Sequence, residues 1–308
     1  MPLTPFESSC LKSFQNGEKP NPIRVAEQED LLRFGIWLLL NIARLVRGKR
    51  YFTESIEASL KHDGSPVTKL ELEIEDFVRG ELSLLPHDTV FISEESGGIL
   101  PKSGLAVVLD PIDGTRSFLA QSETFSTSLA FYLDSQPIIG MVINPSTGEL
   151  GYVAQGMQTR LIQISLFGES HVGVSLPTKK TNTFSPTLVN VHPSSRASTL
   201  VSGLYGLWGQ DSVRFVRSCG GSPAYALLDA AKGHFIYVNI WDRNPSAPFD
   251  LAAGIMLVRG AGGEVLDVHE KPVKFNDHTG PIIAGVWNDE RLPAVQTIIK
   301  RIRESLQI

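Results

Sequence analysis

The chain has 308 residues, 42% hydrophobic and 20% charged, an ordinary globular composition with enough apolar residues to bury a sizeable core. Its 28 basic and 33 acidic residues give a formal charge of −5, which argues against a nucleic-acid polymer or an anionic membrane surface as the main partner. Two distant cysteines, Cys10 and Cys219, argue against a disulfide framework or a thiolate zinc site and make a reducing cytoplasm the default location.

The first ten residues have no basic segment followed by an apolar core, so no signal peptide is expected. Residues 1–24, with Pro2, Pro5, Pro20 and Pro22, read as an irregular arm. From about residue 26, Leu31, Leu32, Ile36, Leu39, Leu40, Ile42 and Val46 repeat with helical spacing. The most apolar part, FGIWLLLNIARLV at 34–46, is too short for a membrane span and contains Arg44. KHDGSPVT at 61–68 carries turn signals. A second helix follows, with Thr68 as N-cap and Leu70, Ile74, Phe77, Val78 and Leu82 on one side, so that Glu71 and Glu75 lie one turn apart. Short strands are expected at 89–93, 105–110, 126–134, 137–145, 149–156 and 187–192, and helices at 222–233 and 249–263, each with a glycine ending, before strand EVLDV. A block of strands followed by alternating helices and strands points to a layered mixture of helix and sheet.

Five carboxylates stand at the edges of apolar segments: Glu94 and Glu95 after VFIS, Asp110 and Asp113 after LAVVL, and Asp250 ahead of LAAGIML. Taken singly, SEES is a solvated loop, DPIDGT a turn with a helix cap, and Asp250 an N-cap. Together and in this order they mark one rim of a sheet, where ligands usually bind. Uncompensated, such a group of like charges is costly, and a hard divalent ion is the simple remedy. Magnesium is held by a few carboxylates, waters and substrate phosphate. Pro111 fixes the backbone between the aspartates, so that the Ile112 carbonyl could be a further ligand.

At this point SPVT, ISEES, LDPIDGTRSF, GGSPAYALLDAAKG and FDLAAGIMLVRGAGGEVLD resemble, in order and across about residues 60–270, the inositol monophosphatase superfamily of magnesium-dependent, lithium-sensitive phosphatases. The resemblance implies a layered α-β-α-β-α sandwich of mixed α+β and α/β character. An N-terminal α+β half, residues 25–165, would carry most ligands, and a C-terminal α/β half, 166–308, would supply Asp250. It also implies site roles. Glu94, Asp110 and the Ile112 carbonyl would hold one metal ion, and Asp110, Asp113 and Asp250 a second, in a set of two or three Mg2+. Glu95 and Lys61 would support them. Gly114 and Thr115 would meet the phosphate, and the Thr115 hydroxyl would orient the attacking water together with residue 71. Gly221 and Ser222 would line the alcohol's pocket. The reaction implied is in-line hydrolysis of a small phosphorylated alcohol without a covalent phosphoenzyme, by a cytoplasmic homodimer with neither a nucleic-acid polymer nor a membrane as partner.

The pattern departs at three places. The family's aspartate is Glu71 here: its extra methylene makes it either a working substitute or a handicap, which would leave a non-catalytic metal- or phosphoester-binding protein. The family's Trp-Asp is Phe249-Asp250, and Trp241-Asp242 is a decoy because the LAAG helix follows Asp250. Ile240 falls where inositol-specific members place a glutamate. DGTRSF is similar to the form in histidinol-phosphate phosphatases, and bisphosphate nucleotidases carry a lysine version, so those substrates and fructose 1,6-bisphosphate stay open. Arg116 would serve a second anionic group or simply be solvated. RGAGGEV follows a helix and reads as a tight turn, not a dinucleotide fingerprint. No histidine pair has metal-ligand spacing, and Cys219 reads as a small buried residue.

Overall fold

The computed structural model describes residues 2–52, 57–61, 65–164, 171–177, 188–192, 198–209, 213, 215–218, 221–240, 248–275, 278–287 and 292–307. Helices α1 (Pro5–Gln15) and α2 (Gln28–Phe52) come first, then a hairpin of β1 (Ala58–Leu60) and β2 (Pro66–Thr68), and helix α3 (Lys69–Glu81). Strands β3 (Val90–Ser93) and β4 (Leu105–Asp113) lead into the short helix α4 (Thr115–Leu119). Five strands follow: β5 (Ser126–Leu133), β6 (Gln136–Asn144), β7 (Glu149–Ala154), β8 (Arg160–Gln163) and β9 (Val172–Ser175). The remainder is β10 (Leu188–His192), α5 (Ser198–Tyr205), β11 (Phe215–Ser218), α6 (Pro223–Ala231), β12 (Phe235–Asn239), α7 (Pro248–Gly260), β13 (Glu264–Asp267), β14 (Ile282–Gly285) and α8 (Leu292–Leu306).

Strands β3 to β9 form a seven-stranded sheet in sequence order, with β3 and β4 parallel and the other pairs antiparallel. A second sheet has the order β11-β10-β12-β14-β13. Three apolar clusters define the layers. Alternate residues of β4 (Leu105, Val107, Leu109) pack with α2 and α3 on one face of the first sheet. The intervening Ala106 and Val108 pack with α6 and α7, which also cover Tyr237, Ile282 and Ala284 of the second sheet. The far face of that sheet is closed by α5 and α8. The result is the expected helix–sheet–helix–sheet–helix sandwich. Every residue of β4 is buried, because both faces of the strand are covered. Among the described residues no helix is long and apolar enough to cross a membrane.

The irregular arm expected over residues 1–24 is corrected by α1. Pro5 does not break this helix, because it occupies the first turn, where no amide donor is needed. Thr4 is the N-cap, and Glu7 completes a capping box. Glu7 is also fully buried. Its carboxylate accepts from Arg160 Nε and Nη2 at 2.9 Å each, from the Tyr152 hydroxyl at 2.9 Å and from the Thr4 amide at 2.7 Å. Burial alone would raise its pKa, but Arg160, the Thr4 amide and Tyr152 together hold it below the usual value. Removing the charge would leave Arg160 largely buried and unmatched. Glu7→Gln is therefore expected to lower unfolding free energy by about 3 kcal/mol, read as a shifted urea midpoint at constant slope.

Candidate active site

Two aspartates three residues apart on a regular strand point to opposite faces, since side chains alternate. β4 escapes this by a bulge. Asp110 is registered with Ser128 and Asp113 with Ser126, so Pro111 and Ile112 together oppose the single residue Thr127. The Thr127 hydroxyl donates to the Pro111 carbonyl at 2.8 Å and fixes the irregularity. Because Ser126 and Ser128 share a face, Asp110 and Asp113 share it too, and it is the face covered by α6 and α7.

The neighbouring carboxylates arrive by register. β3 runs parallel to β4, and the Glu94 amide donates to the Leu109 carbonyl at 3.2 Å, which sets Glu94 beside Asp110 at the carboxyl ends of both strands. The Lys61 ammonium bridges Glu94 Oε1 at 2.8 Å and Glu95 Oε1 at 2.6 Å. Burial works against its charge, but these two carboxylates more than compensate and raise the lysine pKa. Burial also raises the Glu95 pKa, against the pull of Lys61.

Glu71 and Thr115 meet. Thr68 caps α3, and Glu71, three residues on, reaches back to the Thr68 amide at 2.5 Å and hydroxyl at 2.7 Å with Oε2. Its other oxygen accepts from the Thr115 hydroxyl at 2.8 Å, while the Ile112 carbonyl lies 3.2 Å from that hydroxyl. The longer side chain thus spans both tasks from an undisturbed helix. Burial pushes the Glu71 carboxyl up to about 7, against hydrogen bonds from Thr68 and Thr115 that pull it down.

Asp113 is held by the start of α6: Oδ2 accepts from the Ser222 hydroxyl and from the Ala224 amide, the latter at 2.7 Å. The Ser222 hydroxyl is also 2.8 Å from that of Ser126. The seam between α4 and α6 is tight. Gly114 has φ +92°, and a Cβ there would lie 2.9 Å from the Ser222 amide nitrogen. Gly221 has φ +110°, and a Cβ there would lie 1.9 Å from the Thr124 carbonyl oxygen. Both positions require glycine. Asp250 belongs to the first turn of α7, whose Phe249 carbonyl accepts from the Ser128 hydroxyl at 3.4 Å beside Asp110. The Asp250 side chain, Cys219, Trp241 and Asp242 lie outside what the structure describes.

Two contributors escaped the sequence reading. Glu75 is buried and accepts from the Glu95 amide at 3.1 Å and from the Ser96 hydroxyl, so it holds the loop that carries Glu94. Its signal was present, since it lies one turn beyond Glu71 beside the apolar stripe of α3. Thr124 gives its carbonyl to the Ser222 amide at 2.9 Å, and nothing in the local sequence announces this.

Among the described residues no three His, Cys, Asp or Glu side chains form a ready-made metal cluster. The donor type nevertheless fits a hard cation: Asp110 and Asp113 are buried on one face, with Glu94 beside them and neither thiolate nor imidazole in the set.

The profile of the inositol monophosphatase family matches residues 27–300. The chain belongs to this family of phosphatases. An inositol-1-monophosphatase of Mesorhizobium japonicum is 28% identical over 240 residues, covering 75% of this chain and 82% of the relative. A histidinol-phosphatase of Chlorobaculum parvum is 26% identical over 250 residues, covering 77% and 89%. The IMPase structure from Thermotoga maritima superposes with a TM-score of 0.70 at 23% identity over 90% of this chain and 98% of that one, which bears on the fold alone.

The buried Glu71 generates a pH dependence. Its folded pKa lies above the ordinary glutamate value of about 4.3, so the metal-free folded state holds more protons than the unfolded chain between there and about 7. Stability of the metal-free protein should fall as pH rises through that window, by up to about 1.4 kcal/mol per unit. Glu71→Gln should flatten the slope in urea titrations made at successive pH values.

Proposed function

We propose that this protein is a Mg2+-dependent phosphomonoesterase that hydrolyses a small phosphorylated alcohol by in-line attack of water on phosphorus. The observation that carries this reading is the Glu71–Thr115 hydrogen bond beside the two aspartates that the β4 bulge turns to one face. Glu94, Asp110, Asp113, Asp250 and the Ile112 carbonyl would hold the ions. Bound there, Mg2+ would lower the pKa of a water and neutralise phosphoryl charge.

The chain's own residues supply orientation and proton transfer. Thr115 spends its single hydroxyl proton on Glu71, which leaves its oxygen lone pairs to accept a hydrogen bond from the attacking water. As the water oxygen bonds to phosphorus and the bond to the alcohol oxygen breaks, a proton passes from water to Thr115 and from Thr115 to Glu71, while the departing alcohol oxygen takes a proton from a solvent water. A carboxyl with a pKa near 7 is matched to that task at neutral pH. Gly114 and Thr115 would meet the phosphate through their amides. Gly221 and Ser222 would border the alcohol, with Ser222 chiefly securing Asp113. Lys61 and Glu95 would set the charge around Glu94. Inositol 1-phosphate and histidinol phosphate are the leading substrates, because relatives named for each match over most of the chain. A cytoplasmic homodimer belongs to the same reading.

A second reading, binding without turnover, rests on the commitment of Glu71 Oε2 to the Thr68 cap, which leaves the carboxylate only one oxygen for chemistry.

Purified protein assayed with and without Mg2+ on inositol 1-phosphate, histidinol phosphate, adenosine 3′,5′-bisphosphate and fructose 1,6-bisphosphate should release phosphate from at least one, and only with the metal. Asp110→Asn should abolish release, and Glu71→Asp should lower it by about 100-fold, because the shorter side chain cannot keep both its cap and Thr115. No release from any substrate by a protein that binds Mg2+ would favour the second reading, and a rise in activity with Glu71→Asp would mark the glutamate as a handicap.

A further inference from the structure

We propose that Arg50, at the end of α2, is a positioning residue for this site: its guanidinium fixes the loop at 121–125, and through that loop the Ser222 hydroxyl that secures Asp113. The effect on turnover rests on the phosphatase reading above, whereas the structural content stands apart from it.

Arg50 is charged yet only 8% exposed. Burying a guanidinium is costly unless its donors are satisfied. Nη1 donates to the Ser122 carbonyl at 2.9 Å and Nη2 to the Gln121 carbonyl at 2.7 Å, while the planar group lies over the Phe125 ring, 4.9 Å from its centroid. Two carbonyls of consecutive residues and an aromatic face suit a planar fork and not an ammonium. The carbonyls belong to the turn that reverses the chain after α4, where Gln121 adopts φ +57°, a left-handed conformation rare outside glycine. A non-glycine residue persists there when its surroundings over-determine it, and Arg50 is one of the groups that does so.

The loop thus held is tied to both halves of the site. Toward α4, the Ser122 amide donates to the Ser117 carbonyl at 2.9 Å, and Thr124 Oγ1 donates to Ser117 Oγ at 3.3 Å. From β6, the Asn144 amide group donates to the Glu123 carbonyl at 2.8 Å. Toward α6, the Thr124 carbonyl accepts from the Ser222 amide at 2.9 Å and packs against Gly221 with no space for a Cβ between them. Ser222 then donates to Asp113. The connection from Arg50 to Asp113 runs through close, directional contacts, so a shift of the loop moves the aspartate. Arg50 itself is bonded to the loop and is not part of the proposed reaction chemistry.

The test uses the full chain with Arg50→Lys, which keeps the charge without the fork, and Arg50→Met, which keeps much of the stem. Amide hydrogen exchange at Gln121, Ser122 and Ser222 should accelerate by about tenfold or more in both variants, with β12 amides unchanged as the internal reference. With Mg2+ and 4-nitrophenyl phosphate, kcat should fall by up to about 100-fold for a displacement near 1 Å. KM should move by less than about threefold, as for a group that matters in the transition state. Unchanged exchange at the three amides, or a rise shared equally by β12, would overturn the proposal. A wild-type protein that never releases phosphate would sink the phosphatase reading instead, and exchange alone would then decide whether Arg50 holds the loop.

Discussion

The bulge in β4 is the constraint on which the site depends. A strand buried on both faces would normally send Asp110 into the α7 layer and Asp113 into the α2 layer, among residues such as Leu109 and Phe118. One extra residue opposite Thr127 changes the phase, and the hydroxyl bond from Thr127 to Pro111 keeps it changed. The rest of the local architecture answers that displacement. The start of α6 supplies a hydroxyl and an amide to Asp113, and α7 begins next to the serine registered with Asp110. Both inner helices therefore open toward the same place, the crevice at the carboxyl ends of strands where α/β proteins gather ligands.

Buried acidic groups crowd this corner. Glu71, Glu75, Asp110 and Asp113 are all nearly inaccessible, and Glu95 stands beside them. Four of these five are managed in different ways. Glu71 is absorbed into a helix cap, Glu75 into the loop that follows β3, Glu95 into a pair with Lys61, and Asp113 into the N-terminus of α6. A corner built mainly from acceptors leaves positive charge as the scarce component, which is the physical reason a cation-dependent reading suits it.

Much of this was legible in the chain. The strands expected at 105–110, 126–134 and 137–145 announce themselves as aliphatic runs between turns and are found as β4, β5 and β6, with β4 running on to Asp113, and Thr68 is the cap of α3 as expected. The acidic residues at strand ends were readable as a group, and Glu94, Asp110 and Asp113 do gather at one rim of the first sheet. What escaped depended on distance along the chain. The bulge is a matter of register with β5, which no local pattern encodes. The irregular arm expected over residues 1–24 is the exception, since the Thr4–Glu7 capping box and Pro5 in the first turn are local helix signals that the prolines masked. The reach of Glu71 was not legible either, because the extra methylene is taken up by the cap, which bends the side chain back on its own helix.

The Glu7–Arg160 pair also bears on the order in which the protein is made. Its members are separated by 153 residues, so α1 leaves the ribosome well before its counter-charge exists. At about 5–20 residues per second the interval is on the order of ten seconds. Throughout that time Glu7 can stay hydrated, but it cannot enter the apolar layer beneath α2 without an uncompensated charge. Docking of α1 with a charged Glu7 is therefore expected to depend on β8, which brings Arg160 to it.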